Sequence, residues 1–248
     1  MDNRTFIIEG NIGSGKTTLC KLLELSDTTR SEVIYEPVNK WIDLVDKQDN
    51  NILKLFYGDQ ERYAYTFQTY AFLTRAKLLK EKQTKPIRFM ERSIMTDKHV
   101  FAKALYETNK MSELEWKMYN EWSTWLYDDI IQSTGEPSGY IYVRCEPEIS
   151  HNRLKIRSRS EENSVPLEYL QLLHKYHDDW LLNDTNVLII DVNKDFEHDK
   201  EELECIMNKI NNFINGTGVN GAGIDGKGVD DTGVNGTGVD GTCVCTIF

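Results

Sequence analysis

The chain has 248 residues, of which 40% are hydrophobic, and 40 acidic side chains against 29 basic ones give a formal net charge of −11. That length suits one large α/β domain or two small ones around a sizeable core. The acidic balance argues against a nucleic-acid-binding surface and repels anionic lipid, so any phosphate site must gather its cations locally.

Thr5-Phe6-Ile7-Ile8 is a short apolar run that reads as the first strand, entered directly from Met1-Asp2-Asn3-Arg4 with no signal-peptide pattern. A helical pattern follows from Lys16 to Leu25, and Val33-Ile34-Tyr35 is a second strand. A long helix is expected from Gln60 to about Lys82, then a third strand at Ile87-Arg88-Phe89-Met90. Residues 112–132 read as a helix with Trp116, Tyr119, Trp122 and Leu126 along one stripe. Tyr140-Ile141-Tyr142-Val143 is the fourth strand, followed by helices near 147–160 and 166–182. Val187-Leu188-Ile189-Ile190 is the fifth, and a last helix ends near Ile214. Strands separated by helices predict a three-layer α/β fold, a central parallel five-stranded sheet flanked by helices. Ligands on such sheets sit beyond the carboxyl ends of the strands.

Residues 1–215 therefore read as one domain. From Gly216 the sequence changes to six copies of a five-residue unit, which hold ten of the sixteen glycines. One Val or Ile per unit buries too little surface to offset the ordering entropy of glycine, which predicts a flexible tail over 216–248. Cys20, Cys145, Cys205, Cys243 and Cys245 form no CxxC pair and are odd in number, as in a reducing cytoplasm with buried thiols. No helix-borne HExxH or cysteine pattern accompanies His174 and His177, so a helix surface rather than a metal is their expected home. No apolar run approaches the ~18 residues that cross a bilayer.

Gly10-Asn11-Ile12-Gly13-Ser14-Gly15-Lys16-Thr17 fits G-x-x-x-x-G-K-[ST], between a strand and a helix. Its glycines let backbone N–H groups curl around phosphate, and the helix adds its positive end. Lys16 can bridge the β- and γ-phosphates and the Thr17 hydroxyl can ligate Mg²⁺; Thr18 follows in the same turn.

The other strand ends carry the acceptor chemistry. Pro37 keeps Glu36 out of a helix, which leaves a carboxylate at a strand tip, suited to a general base or simply exposed on a loop. The third strand ends in Glu91-Arg92: Glu91 could hold magnesium, and Arg92 could pair with Glu36 or with an acceptor oxygen, or the two could form a structural ion pair. Arg153, Arg157 and Arg159, with Lys155 among them, are an unexpected basic cluster in so acidic a chain. They suit the oxygens of a transferring phosphoryl group, or else a solvated helix face. Glu161, Glu162, Asn163 and Ser164 follow, giving a lid near 153–165. A P-loop switch would need a Walker-B aspartate, and a GTPase an N-K-x-D that the spacing of Asn193-Lys194-Asp195 misses. A nucleoside monophosphate kinase would need extra cations where Gln68 and aromatics stand.

The stretches IEGNIGSGKTT (8–18), EPVNKW (36–41), ERYAYTFQTYAFLTR (61–75), MERSIMTDKHVFA (90–102), RLKIRSRSEENSVPLEYLQLLHKYHDDWL (153–181) and IIDVNKDF (189–196) together resemble the deoxyribonucleoside kinase family over residues 4–214. The resemblance implies ATP-dependent phosphorylation of a deoxyribonucleoside 5′-hydroxyl, with Mg²⁺. It implies Glu36 as the base, Arg92 orienting it, and Glu91 and Thr17 on the metal. Gln68 would read the base edge between Phe67 and Trp41, while Tyr57 and Glu162 would hold the 3′-hydroxyl. Arg157 and Arg159 would be lid arginines, Arg153 their neighbour, and Asp195 and Phe196 would meet the donor's adenine. Ala71, Arg75 and Asp97 bear on base choice: an Arg–Asp pair fills the room a thymine methyl needs, so deoxycytidine or a purine deoxynucleoside is expected over thymidine. A thymidine-preferring or broad-specificity kinase is the alternative. The stripe on 112–132 resembles the family's homodimer face; packing in the core is the other reading, the two are not exclusive, and a homodimer is expected.

The tail departs from the family. Cys245-Thr246-Ile247-Phe248 is a C-a-a-X pattern with a non-aliphatic Thr246, and Cys243 could take a second lipid. An untethered tail is the expected reading, with a membrane tether through Cys245 as the alternative.

Overall fold

The computed structural model describes residues 3–157 and 165–216. Five strands, β1 (Arg4–Glu9), β2 (Ser31–Ile34), β3 (Ile87–Glu91), β4 (Gly139–Arg144) and β5 (Val187–Asp191), form one parallel sheet in the order β2-β3-β1-β4-β5. β1 is central because Phe6, Ile7 and Ile8 bury both of its faces. The chain leaves β1 first toward β2 and β3, then toward β4 and β5. The strand order thus reverses at β1, and the carboxyl ends of β1 and β3 flank the resulting crevice.

Helices cover both faces. On one side α1 (Lys16–Ser26) and α10 (Lys200–Asn215) pack Leu19, Leu23, Ile206 and Ile210 against Phe6, Ile8 and Ile141. α10 ends where Gly216 adopts a left-handed cap, φ +67; the pentapeptide segment beyond it, with Cys243 and Cys245, lies outside the described residues. On the other side α4 (Gln60–Leu79) lies beside α7 (Glu113–Thr134), and α8 (Pro147–Arg157) precedes α9 (Leu167–Leu181). α4 starts where the Asp59 side chain accepts from the Arg62 N–H, and α7 starts on a reciprocal Ser112–Glu115 capping box. No described helix is long and apolar enough to cross a membrane.

The expected strands and long helices are present, and the short ones were not anticipated. These are α2 (Val38–Asp43), α3 (Ile52–Gly58), α5 (Ile94–Thr96), a π-helix at Asp97–Ala102 and α6 (Lys103–Glu107). α4 stops at Leu79, three residues before the expected Lys82.

The structure also places the α7 stripe, the two histidines and the cysteines. The stripe on α7 is largely core: Tyr119 is fully buried, and Trp116, Trp122 and Leu126 pack against α4 and α6 residues including Phe72 and Tyr106. The apolar residues of α7 that face solvent are Leu114, Met118 and Trp125. His177 is not on a helix surface but fully buried, its Nδ1 2.7 Å from the Leu173 carbonyl and its ring stacked on Tyr142; His174 pairs with Asp178. Cys20 and Cys145 are buried thiols, whereas Cys205 is half-buried.

Candidate active site

β1 ends at Glu9 and the chain turns at once into the Gly10–Thr17 loop. Gly13 has φ +77, and a methyl there would lie 2.6 Å from the Ser150 carbonyl oxygen; on Gly10 it would meet the Val143 carbonyl at 2.5 Å. Only glycine fits both positions. α1 begins without a side-chain cap, which leaves its first N–H groups for an anion. Asn11 shapes the loop from beneath: its Nδ2 donates to the Leu170 carbonyl at 2.8 Å and its Oδ1 accepts from the Ile12 N–H at 2.8 Å. Lys16 Nζ donates to the Asn11 carbonyl at 2.6 Å. Burial, helped by the neighbouring positive Arg92, lowers its pKa to about 7.

The opposite wall comes from three elements. Glu36 lies two residues beyond β2, and its Oε1 accepts from Arg75 of α4 and lies 3.1 Å from Arg92 Nε. Burial opposes its charge, but Arg92, Arg75 and Lys16 outweigh burial and hold its pKa at about 2. Arg75 grips Asp97 of the π-helix with its other terminal nitrogen. Burial still pushes Asp97 up to about 6. Arg92 sits in the left-handed region at φ +68, rare for a side chain of its size and a mark of functional sites, with its guanidinium 4.8 Å from the Phe101 ring centroid.

Between the walls, Thr17 Oγ1 donates to Glu91 Oε1 at 2.6 Å. A hydroxyl and a carboxylate oxygen side by side, next to a phosphate loop, are the hard donors Mg²⁺ takes alongside water and phosphate. Deeper in, Phe56 and Phe67 stack at 4.6 Å and Trp41 meets Phe67 edge-on at 5.3 Å, with Arg75 5.0 Å from the Trp41 ring. Gln68 is buried among them, and its Oε1 has no partner among the described residues. Such a group calls for a ligand hydrogen bond. At the other end, the Phe196 ring closes on Gly15, and Asp195 accepts from the Glu197 N–H at 3.0 Å while meeting His198 Nδ1 at 2.9 Å. All of this opens into one cavity of about 850 Å³.

A phosphate loop, a carboxylate gripped by two arginines and a flat aromatic slot thus share one space. A family profile described as deoxynucleoside kinase matches residues 6–215. Deoxycytidine kinase 2 of Gallus gallus is 38% identical over 241 residues, covering 85% of this chain and 90% of that protein. The chain belongs to the deoxynucleoside kinase family. Deoxycytidine kinase of Homo sapiens is 36% identical over 240 residues, 84% of this chain and 90% of the relative. Mitochondrial deoxyguanosine kinase of Xenopus laevis is 33% identical over 245 residues, 87% and 91%.

This deoxynucleoside kinase brings most of the expected residues to its cavity: Lys16, Thr17, Thr18, Glu36, Trp41 and Tyr57, then Phe67, Gln68, Arg75, Glu91, Arg92 and Asp97, and at the donor end Arg157, Asp195 and Phe196. Arg159 and Glu162 lie outside the described residues, as does most of the expected lid. Arg153 differs from expectation. It reaches the cavity rim, but its guanidinium donates to the carbonyls of Val192 at 2.8 Å, Lys194 at 3.0 Å and Ser14 at 3.4 Å, so it braces the phosphate loop against the donor end. Sequence reading missed Phe56, Phe101 and Tyr169 as lining residues and the link from Arg75 to Glu36. Phe56 and Phe101 sit on short helices with no amphipathic signature, so only their aromatic character pointed to them.

Proposed function

We propose that this kinase transfers the γ-phosphoryl group of ATP to the 5′-hydroxyl of deoxycytidine or a purine deoxynucleoside, with thymidine a poor acceptor, as a cytoplasmic salvage enzyme. The observation that carries the reading is the position of Glu36, gripped by Arg75 and Arg92 across the cavity from Lys16. Ionised at neutral pH, Glu36 accepts a hydrogen bond from the 5′-hydroxyl and takes its proton as the oxygen bonds to phosphorus. The bond from the γ-phosphorus to the bridging oxygen breaks, and ADP keeps the electron pair. Arg92 aims Glu36 and the acceptor oxygen. Lys16 and the N–H groups of Ile12, Gly13 and Gly15 hold the β- and γ-phosphates. Arg157 and Arg159 add charge from the lid, and Asp195 and Phe196 receive the adenine. Thr17 and Glu91 would hold Mg²⁺, which when bound draws negative charge off the phosphates.

Gln68 reads the base edge with its amide while Phe67 and Trp41 wall the ring; Tyr57 and Glu162 take the 3′-hydroxyl. The buried Arg75–Asp97 pair supports the preference against thymidine, because it stands beside Ala71 where a 5-methyl group would need space. The names of the relatives, deoxycytidine and deoxyguanosine kinases, favour the same choice. Two copies would pair through the outer face of α7.

The test is an acceptor panel. With labelled ATP, kcat/KM for deoxycytidine, deoxyadenosine or deoxyguanosine should exceed that for thymidine; thymidine as the best acceptor refutes the specificity reading.

A further inference from the structure

The residue before the phosphate loop, Glu9, is fully buried and has no place in the chemistry above. Its carboxylate accepts from the Ser93 N–H at 3.0 Å and the Ser93 hydroxyl at 2.8 Å, and the Thr96 hydroxyl lies 2.6 and 2.7 Å from its two oxygens. Ser93 and Thr96 also form the capping box that starts α5: the Ser93 hydroxyl oxygen accepts from the Met95 and Thr96 N–H groups, the Thr96 hydroxyl oxygen accepts from the Ser93 N–H, and each hydroxyl directs its proton at Glu9. Immediately before Ser93 stands Arg92, left-handed, with its own N–H donating to the Ile8 carbonyl at 3.0 Å. A residue of that size leaves the left-handed region unless its flanks are fixed. Here one flank is held by the backbone of β1 and the other by the side chain at the end of β1.

We infer that Glu9 is a positioning residue for phosphoryl transfer: by clamping Ser93 and Thr96 to the end of β1, it holds Arg92 in the strained conformation from which Arg92 aims Glu36. The inference rests on the reading that Arg92 serves the acceptor. The clamp ties the acceptor-side turn to the strand that feeds the donor loop, so the two halves of the site keep a fixed spacing. An amide in place of Glu9 retains one acceptor oxygen but puts an NH₂ where the second carboxylate oxygen stood, so it cannot accept every hydrogen bond that Ser93 and Thr96 donate to the carboxylate.

The experiment compares Glu9→Gln, Thr96→Val and Thr96→Ser in the full chain, alone and combined with Arg92→Lys. The measurements are kcat and KM with deoxycytidine and the Kd of a non-hydrolysable ATP analogue. Glu9→Gln and Thr96→Val should each lower kcat roughly 10- to 100-fold, the scale of a misplaced catalytic geometry, with the analogue Kd little changed. Thr96→Ser keeps the hydroxyl and should restore most of the rate. Glu9→Gln added to Arg92→Lys should cost nothing further, because both act through one guanidinium. Losses that multiply in the double variant, a loss confined to analogue binding, or a Thr96→Val enzyme at full rate would each overturn the role of Glu9. Should Glu9→Gln fail to fold, the Thr96 pair decides alone. Arg92→Lys at full rate would instead overturn the underlying reading of Arg92.

Discussion

Thr17 and Glu91 sit at the ends of different elements, α1 and β3, yet their side-chain oxygens lie 2.6 Å apart. The contact follows from sheet order: β3 is β1's neighbour, with Ile8 in register with Glu91, so the residue closing β3 falls beside the helix that follows β1. If this pair holds Mg²⁺, chelation with EDTA should abolish transfer. Glu91→Gln should raise the Mg²⁺ concentration needed for half-maximal rate by roughly 10–100-fold, the scale for residues that organise a metal, with KM for the nucleoside nearly constant. A metal titration of both enzymes checks this.

Replacing the base is the second test. Glu36→Gln keeps shape and an acceptor oxygen but cannot take a proton. Turnover should fall ~10²–10⁴-fold while binding of an ATP analogue persists. A variant with nearly full kcat would remove Glu36 from the chemistry.

The pH dependence should separate two buried carboxylates. Glu36, held at about 2, is ionised throughout the working range and adds no inflection above pH 4. Because its folded pKa lies below the ordinary 4.5, the stability it contributes is fully present above pH 4.5 and is lost as the pH falls toward 2. Asp97, raised to about 6 by burial, behaves the opposite way: its proton binds more tightly in the folded protein, so its contribution weakens as pH rises from about 4 to 6. In activity, protonating Asp97 leaves Arg75 to Glu36 alone. The kcat/KM for deoxycytidine should fall as pH drops through about 6, and Asp97→Asn should remain low and lose that inflection.

Base choice tests the Arg75–Asp97 pair directly. Removing one partner would strand a buried charge, so both must go. Arg75→Leu with Asp97→Ala should raise the thymidine to deoxycytidine ratio of kcat/KM at least about tenfold, since space and polarity toward a methyl group change together. An unchanged ratio would place discrimination elsewhere in the pocket.

The sheet and the long helices were legible because their signals are local. Apolar runs such as Thr5–Ile8 and Val187–Ile190 are bounded by breakers, and the Gly10–Thr17 loop carries its own geometry in three glycines. Glu36, Glu91 and Arg92 could be read as strand-end residues for the same reason. The segment from Val38 to Gly58 and the π-helix were not legible, because helices of six or seven residues show less than two turns of periodicity and are stabilised by packing around Trp41 and Phe56. Arg153 failed for another reason: a basic residue near a phosphate loop suggests a phosphate ligand, and only the fold reveals that three carbonyls converge on it. The link from Arg75 to Glu36 joins α4 to the end of β2 across 39 positions, a distance over which sequence carries no pairing signal.

Trp122 and Trp125 of α7 offer the last test, because they separate core from interface on one helix. Trp122 meets Phe72 edge-on at 4.9 Å and Tyr119 at 5.0 Å, so Trp122→Ala should cost about 3–5 kcal/mol by urea unfolding. Trp125 is 70% exposed, with Met118 and Leu114 on the same outer face. Met118→Glu with Trp125→Glu should leave each copy folded while lowering the sedimentation coefficient from that of a dimer to that of a monomer, as charges placed in an apolar contact would. A wild-type chain that sediments as a monomer, or a dimer that survives both substitutions, would take the interface away from the outer face of α7; Trp116, Tyr119 and Trp122 offer a partner less surface, because Tyr119 is fully buried and the two tryptophans are partly buried against the core.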